Sequence, residues 1–130
     1  MTQYTGDMEP VILASGTEIA IGATTTYNLG TETSYAVTAR LGTCAFYAVI
    51  TSTVAITGGI TVTYTERLYS VNVGTVKTAT IPLSFVRTGV YHGIKLFAND
   101  YSGIILTSVK NDTTDVVSTY KVGLTGKIMY

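Results

Sequence analysis

Chemistry in this chain would have to be built from very few groups. It has one histidine, His92, and one cysteine, Cys44. General acid–base work needs an imidazole with a partner, or two carboxylates within reach of each other. His92 stands in Val90-Tyr91-His92-Gly93-Ile94, a run that reads as a strand with Val90, Ile94 and Leu96 on the His92 face. The plain expectation is a partly buried, hydrogen-bonded imidazole. Nucleophilic catalysis needs a serine or cysteine beside a base. No G-x-S-x-G turn occurs, and Gly42-Thr43-Cys44 lacks any motif around it. A lone His and a lone Cys also fall short of a His/Cys metal site within one chain. The sequence therefore predicts no catalytic residue, no metal and no cofactor.

Two loops carry oxygen ligands, Asn99-Asp100 and Asn111-Asp112-Thr113-Thr114-Asp115. Calcium takes six to eight oxygens in a defined cage, and neither loop has that pattern. Side chains that hydrogen-bond their own backbone two residues on, forming Asx turns, account for both. Asn111-Asp112-Thr113 also fits the glycan acceptor pattern.

The elements that must position these groups are strands. Apolar residues make up 46% of the chain and charged residues 12%, about half the usual charged share. Threonine is roughly one residue in five, with ten Tyr and no Trp. Thr and Tyr are strand formers that tolerate either water or a neighbour. No stretch repeats apolar residues at helical spacing over three turns, while turn signals recur every 8–12 residues. The expected fold is all-β: a single antiparallel β-sandwich, jelly-roll or immunoglobulin-like, of about nine to eleven short strands with essentially no helix. Residues 1–16 read as an arm or docking segment, and 17–130 as the sandwich.

Within that frame Thr33 to Leu41 alternates cleanly, as a half-buried strand does. Ser15-Gly16 and Gly74 read as breaks. Val76 to Val86 reads as one strand, with Pro82 placing it at a sheet edge or at a bulge. Thr43 to Glu66 holds two long apolar and threonine-rich runs around Thr57-Gly58-Gly59. A three-residue loop there would set Ile56 opposite Ile60, Val54 opposite Val62 and Ser52 opposite Tyr64, so a central hairpin is expected.

Charge narrows the partners. Eight basic and eight acidic residues cancel. No Lys/Arg cluster interleaves with aromatics, so no nucleic-acid surface is expected. No apolar run approaches the ~20 residues needed to cross a bilayer. The opening MTQYTGDMEP carries no basic region followed by an apolar run. The expected location is therefore a virion assembled in a host cytoplasm, or alternatively the cytoplasm itself. A surface with so little charge gives weak protection against association. The acids Asp7, Glu9, Glu18 and Glu32 all precede the first base, Arg40. Such an acidic leading segment suits docking on a basic face. Tyr is favoured at interfaces, and Tyr4, Tyr101 and Tyr130 join Asp7 and Glu9 as candidate contacts.

The resulting expectation is a non-enzymatic structural protein working as a homo-oligomer or on other protein subunits. A bacteriophage capsid decoration, cement or head-fibre protein is the type, burying strand-edge and Tyr surface against its neighbours. A second reading is a binding module of an adhesin or fibre, recognising carbohydrate or protein through loops 98–103 and 111–115. A third is a small hydrolase using His92.

Overall fold

A computed structural model describes residues 7–26, 35–37, 42–68, 71–99 and 103–127. They form ten strands: β1 (Asp7–Ile19), β2 (Thr24–Thr26), β3 (Tyr35–Val37), β4 (Gly42–Thr51), β5 (Gly58–Leu68), β6 (Val71–Pro82), β7 (Ser84–Arg87), β8 (Val90–Asn99), β9 (Gly103–Thr113) and β10 (Val117–Lys127). Every pairing is antiparallel, and no helix occurs among the described residues. The first sheet has the order β1-β10-β4-β8-β7 and the second β2-β9-β5-β6, with β3 following β2 along β9. The first strand thus pairs with the last, β2 and β3 with β9, β4 with β8, and β5 with β6. This is one long hairpin rolled into two layers, the jelly-roll form of the expected sandwich.

The layers meet on side chains that alternate along the central strands. Phe46, Ala48 and Ile50 of β4, with Tyr120, Val122 and Leu124 of β10, face Ile60, Val62 and Tyr64 of β5 and Leu106 and Val109 of β9. Removing a Leu, Ile or Phe side chain from water contributes about 1.5–3 kcal/mol. Phe46 stacks on Phe97 with ring centres 4.5 Å apart and meets Tyr64 edge-on at 5.0 Å. Burial pushes the Tyr64 hydroxyl pKa up; the Lys77 ammonium pulls it down and the Glu66 carboxylate raises it. Glu66 is itself buried and is held by an ion pair with Lys77. An unpaired carboxylate at that depth would be costly.

The central hairpin is not formed. β4 lies between β10 and β8 in the first sheet, and β5 between β9 and β6 in the second. Residues 52–57 carry the chain across the roughly 10 Å between layers. Phe46 and Ile50 thus meet Ile60 and Val62 across the core, where both sets are buried, and not edge to edge on one face. The crossing is pinned at its start, where Ser52 Oγ donates to the Val116 carbonyl at 2.9 Å. At its end Thr57 and Thr114 exchange hydrogen bonds. Gly58, at φ 101°, opens β5 in a conformation that other residues rarely adopt.

Three further expectations shift. Ser15-Gly16 does not break β1, which pairs with β10 from Asp7 to Ile19, so residues 7–16 of the expected arm belong to the sheet. Gly16 is needed because Tyr120 lies against it: a Cβ there would sit 2.9 Å from the hydroxyl. Gly74 lies in a bulge opposite Thr65 and does not end β6. The run from Val76 to Val86 divides at Leu83, where the chain leaves the second sheet for the first. Pro82 ends the edge strand β6, a position suited to a residue without an N–H. Of Thr33–Leu41, only residues 35–37 are among those described, as β3.

The β6-to-β7 passage runs directly over β8. A Cβ on Gly93 would stand 1.9 Å from the Pro82 carbonyl oxygen. Gly93→Ala is expected to lower stability by about 1–3 kcal/mol through overpacking. Urea unfolding checks this, as a lower midpoint with an unchanged slope.

Candidate functional site

The groups expected to matter for chemistry are dispersed. His92 shares a face with Ile94 and Leu96 as anticipated, but that face is the outer one and the imidazole is exposed, not partly buried. Its row across the sheet is Ser84, His92, Val49, Lys121 and Ser15. Ser84 stands directly opposite, and the row contains no carboxylate to orient the ring. Cys44 is opposite Phe97, five residue pairs along from the His92–Val49 pair. At ~3.4 Å per residue they are ~17 Å apart, too far for a dyad. Among the described residues no three His, Cys, Asp or Glu side chains cluster in a way that could hold a metal ion.

The 111–115 loop turns inward. Asn111 is fully buried, and its Nδ2 donates to the carbonyls of Ile19 (2.8 Å) and Asp115 (2.9 Å). Its Oδ1 accepts from the Thr113 N–H (2.9 Å) and hydroxyl (2.6 Å), which is the expected Asx turn. The nitrogen that a glycan would occupy is thus committed to holding the β9–β10 turn against the end of β1. Asp112 remains outside, bonded to Thr61 and 3.4 Å from Lys110 Nζ. In the other loop Asn99 ends β8, and residues 100–102 lie outside the described residues.

The two outer faces differ sharply. On the second sheet the register makes two ranks, Thr24–Lys110–Thr61–Thr80 and Thr26–Ser108–Thr63–Thr78. Hydroxyls and charges fill it, and Thr61 and Thr80 are hydrogen-bonded at 3.0 Å. That is a face built for water. On the first sheet one rank reads Ile94–Tyr47–Gly123–Ile12 across β8, β4, β10 and β1. Leu96 and Ala45 flank it on one side, His92 and Val49 on the other. Leu96 is 66% exposed and Ile94 57%, and Val49 and Ile12 are exposed as well. The Tyr47 ring lies flat over Gly123, where a Cβ would be 2.3 Å from it. Partial burial raises the Tyr47 pKa. Below the rank is a shallow depression of about 490 Å³, bordered by Ser15, Thr17, Thr51, Thr119 and Lys121.

A second hollow of about 480 Å³ lies at one end of the sandwich, between the 52–57 crossing and the β7–β8 turn. Val54, Phe85 and Tyr91 line it, and Tyr91 accepts a long hydrogen bond from the Ile56 N–H through its hydroxyl.

The edge strands carry blocking devices, although β8 runs on beyond the short β7. β1 carries Pro10 and two bulges, at residues 9–10 and at Leu13. β6 carries a bulge, Lys77 and Pro82, while β2 and β7 have three and four residues. Such devices keep a strand from pairing with another chain. Contact through apolar strand edges, as expected from composition, is therefore not what this surface favours; the open apolar area is a face. Of the anticipated contact residues, Asp7 pairs in register with Lys127 and Glu9 lies in the first bulge. Tyr4, Tyr101 and Tyr130 lie outside the described residues.

Ile12, Tyr47, Val49, Ile94 and Leu96 are not among the contact residues expected from sequence, although a signal for them exists. Residues 44–50, CAFYAVI, are apolar at every position. A strand apolar on both faces is the pattern of one covered on both sides, and a two-layer sandwich covers only one. No protein-family model, curated protein or solved structure matches this chain.

Replacing Asn111 by Ala takes from the Ile19 carbonyl and the Thr113 N–H their side-chain partner, while the Asp115 carbonyl keeps the Thr113 hydroxyl at 2.8 Å. The expected cost is about 2–4 kcal/mol, read as a lower denaturant midpoint.

Proposed function

We propose that this chain is a non-enzymatic structural protein, a component of a protein shell or appendage of the kind found in a virion, such as a capsid decoration, cement or head-fibre protein. The observation that carries this reading is the outer face of the first sheet. Its central strand, β4, is apolar on both faces, and among the described residues a second layer covers one of them. Large exposed apolar patches on a folded domain mark surfaces that other macromolecules cover. Blocking devices on the edge strands and a surface of low charge and zero net charge fit a unit that joins others through a face and stops there.

The inward-turned Asn111–Asp115 loop gives little support to a loop-based binding module. The open surroundings of His92 give little to a hydrolase.

The test is the protein inventory of virus-sized particles purified on a density gradient from cells that encode the chain. The expected result is co-migration with the particles in a constant ratio to their most abundant shell protein. Recovery only in the free protein fraction contradicts the reading.

A further inference from the structure

We infer that the outer face of β8, β4, β10 and β1 binds a second copy of this chain. This rests on the assembly reading above and adds the surface and the partner.

Size supports a partner of this kind. At ~4.8 Å between its four strands and about ten residues of ~3.4 Å each, the face is ~650 Å². A stable interface of standard size takes ~600–1,000 Å² from each partner. One face laid on its own copy therefore suffices without any other surface.

Charge supports the same partner. By register this face carries Lys121 and one histidine, His92, in its middle rows, and at one end Asp7 and Lys127, which stand opposite each other with charges that cancel. With so little charge to pair, the face has no electrostatic reason to prefer a strongly acidic or basic surface, and an apolar twin matches it best. A two-fold axis laid along the Ile94–Tyr47–Gly123–Ile12 rank satisfies both constraints. Each of those residues then meets its own counterpart, as an isologous contact requires. The apolar rank becomes the dry centre, and Leu96 lies over the partner's His92. The two Lys121 side chains fall on opposite sides of the axis, two ranks or ~13 Å apart. That exceeds the ~8 Å screening length at physiological salt, so they do not oppose association.

The partially buried Tyr47 ring and Gly123 fit this contact. Ring on glycine makes a flat floor, and a second sheet can approach it without displacing side chains.

The test is sedimentation equilibrium of the full chain, comparing wild type with Ile94→Glu and with Val76→Glu. Val76 is 65% exposed on β6, away from the proposed contact. Both replaced residues are exposed, so both variants should keep the wild-type circular dichroism. The expected result is a two-chain mass for wild type and Val76→Glu and a one-chain mass for Ile94→Glu. A second measurement uses Ile94→Cys with a short thiol-to-thiol crosslinker, with the wild-type chain and its single thiol, Cys44, as control. A covalent dimer in the variant alone supports a contact in which residue 94 neighbours itself. An assembly that survives Ile94→Glu overturns this face while leaving the assembly reading intact. A wild-type chain of one-chain mass overturns the self-contact. The assembly reading itself falls only if the chain is also missing from purified particles.

Discussion

The rest of the structure depends on the burial of β4, the middle strand of the first sheet. Phe46, Ala48 and Ile50 need a cover on one side, and the second sheet supplies it with Ile60, Val62, Tyr64, Leu106 and Val109. Tyr47 and Val49 point the other way, and no second layer of the described residues lies over them. A strand of this composition is under the same hydrophobic driving force on both faces. One half of that force folds the molecule. The other half acts on a face that no described layer covers, in contrast with the hydroxyl-covered face of the second sheet.

Getting β4 into the middle requires long-range pairing. β1 must find β10, and β10 must find β4, so the last strand of the chain is held between two from its first half. Short polar anchors fix the crossings between layers. Ser52 ties the start of the β4–β5 passage to Val116, and Asn111 ties the β9–β10 turn to the end of β1. Each is buried and hydrogen-bonded, which removes the cost of an unpaired polar group. The glycines at 93 and 123 permit the two closest approaches, Pro82 over β8 and the Tyr47 ring over β10.

The fold class was legible because it depends on local pattern: period-two alternation, turn residues at short intervals, and no helical spacing. The edge position of Pro82 and the Asx turn at Asn111 were legible for the same reason, each following from one residue's own chemistry. The central hairpin was misread because a Gly-Gly pair between two apolar runs carries the same local signal whether the chain reverses within a sheet or arches between two. Only the competition of β8, β9 and β10 for the sides of β4 and β5 decides, and that is a property of the whole chain. Ser15-Gly16 and Gly74 were misread as breaks because a glycine that accommodates a ring or a bulge looks in sequence like one that ends a strand. The apolar outer face was present in the unbroken run 44–50, but which of its two faces would be left open depends on sheet order, which sequence alone does not display.

The most direct test of this account is hydroxyl-radical footprinting of the full chain, read by mass spectrometry and normalised for each residue to the unfolded chain. Leu96 and Phe85 have nearly equal exposure in the single chain, 66% and 64%. If the outer face of the first sheet is covered, Leu96 and Ile94 are modified far less than Phe85, and the protection weakens on dilution. Equal modification of Leu96 and Phe85 at every protein concentration would contradict the account.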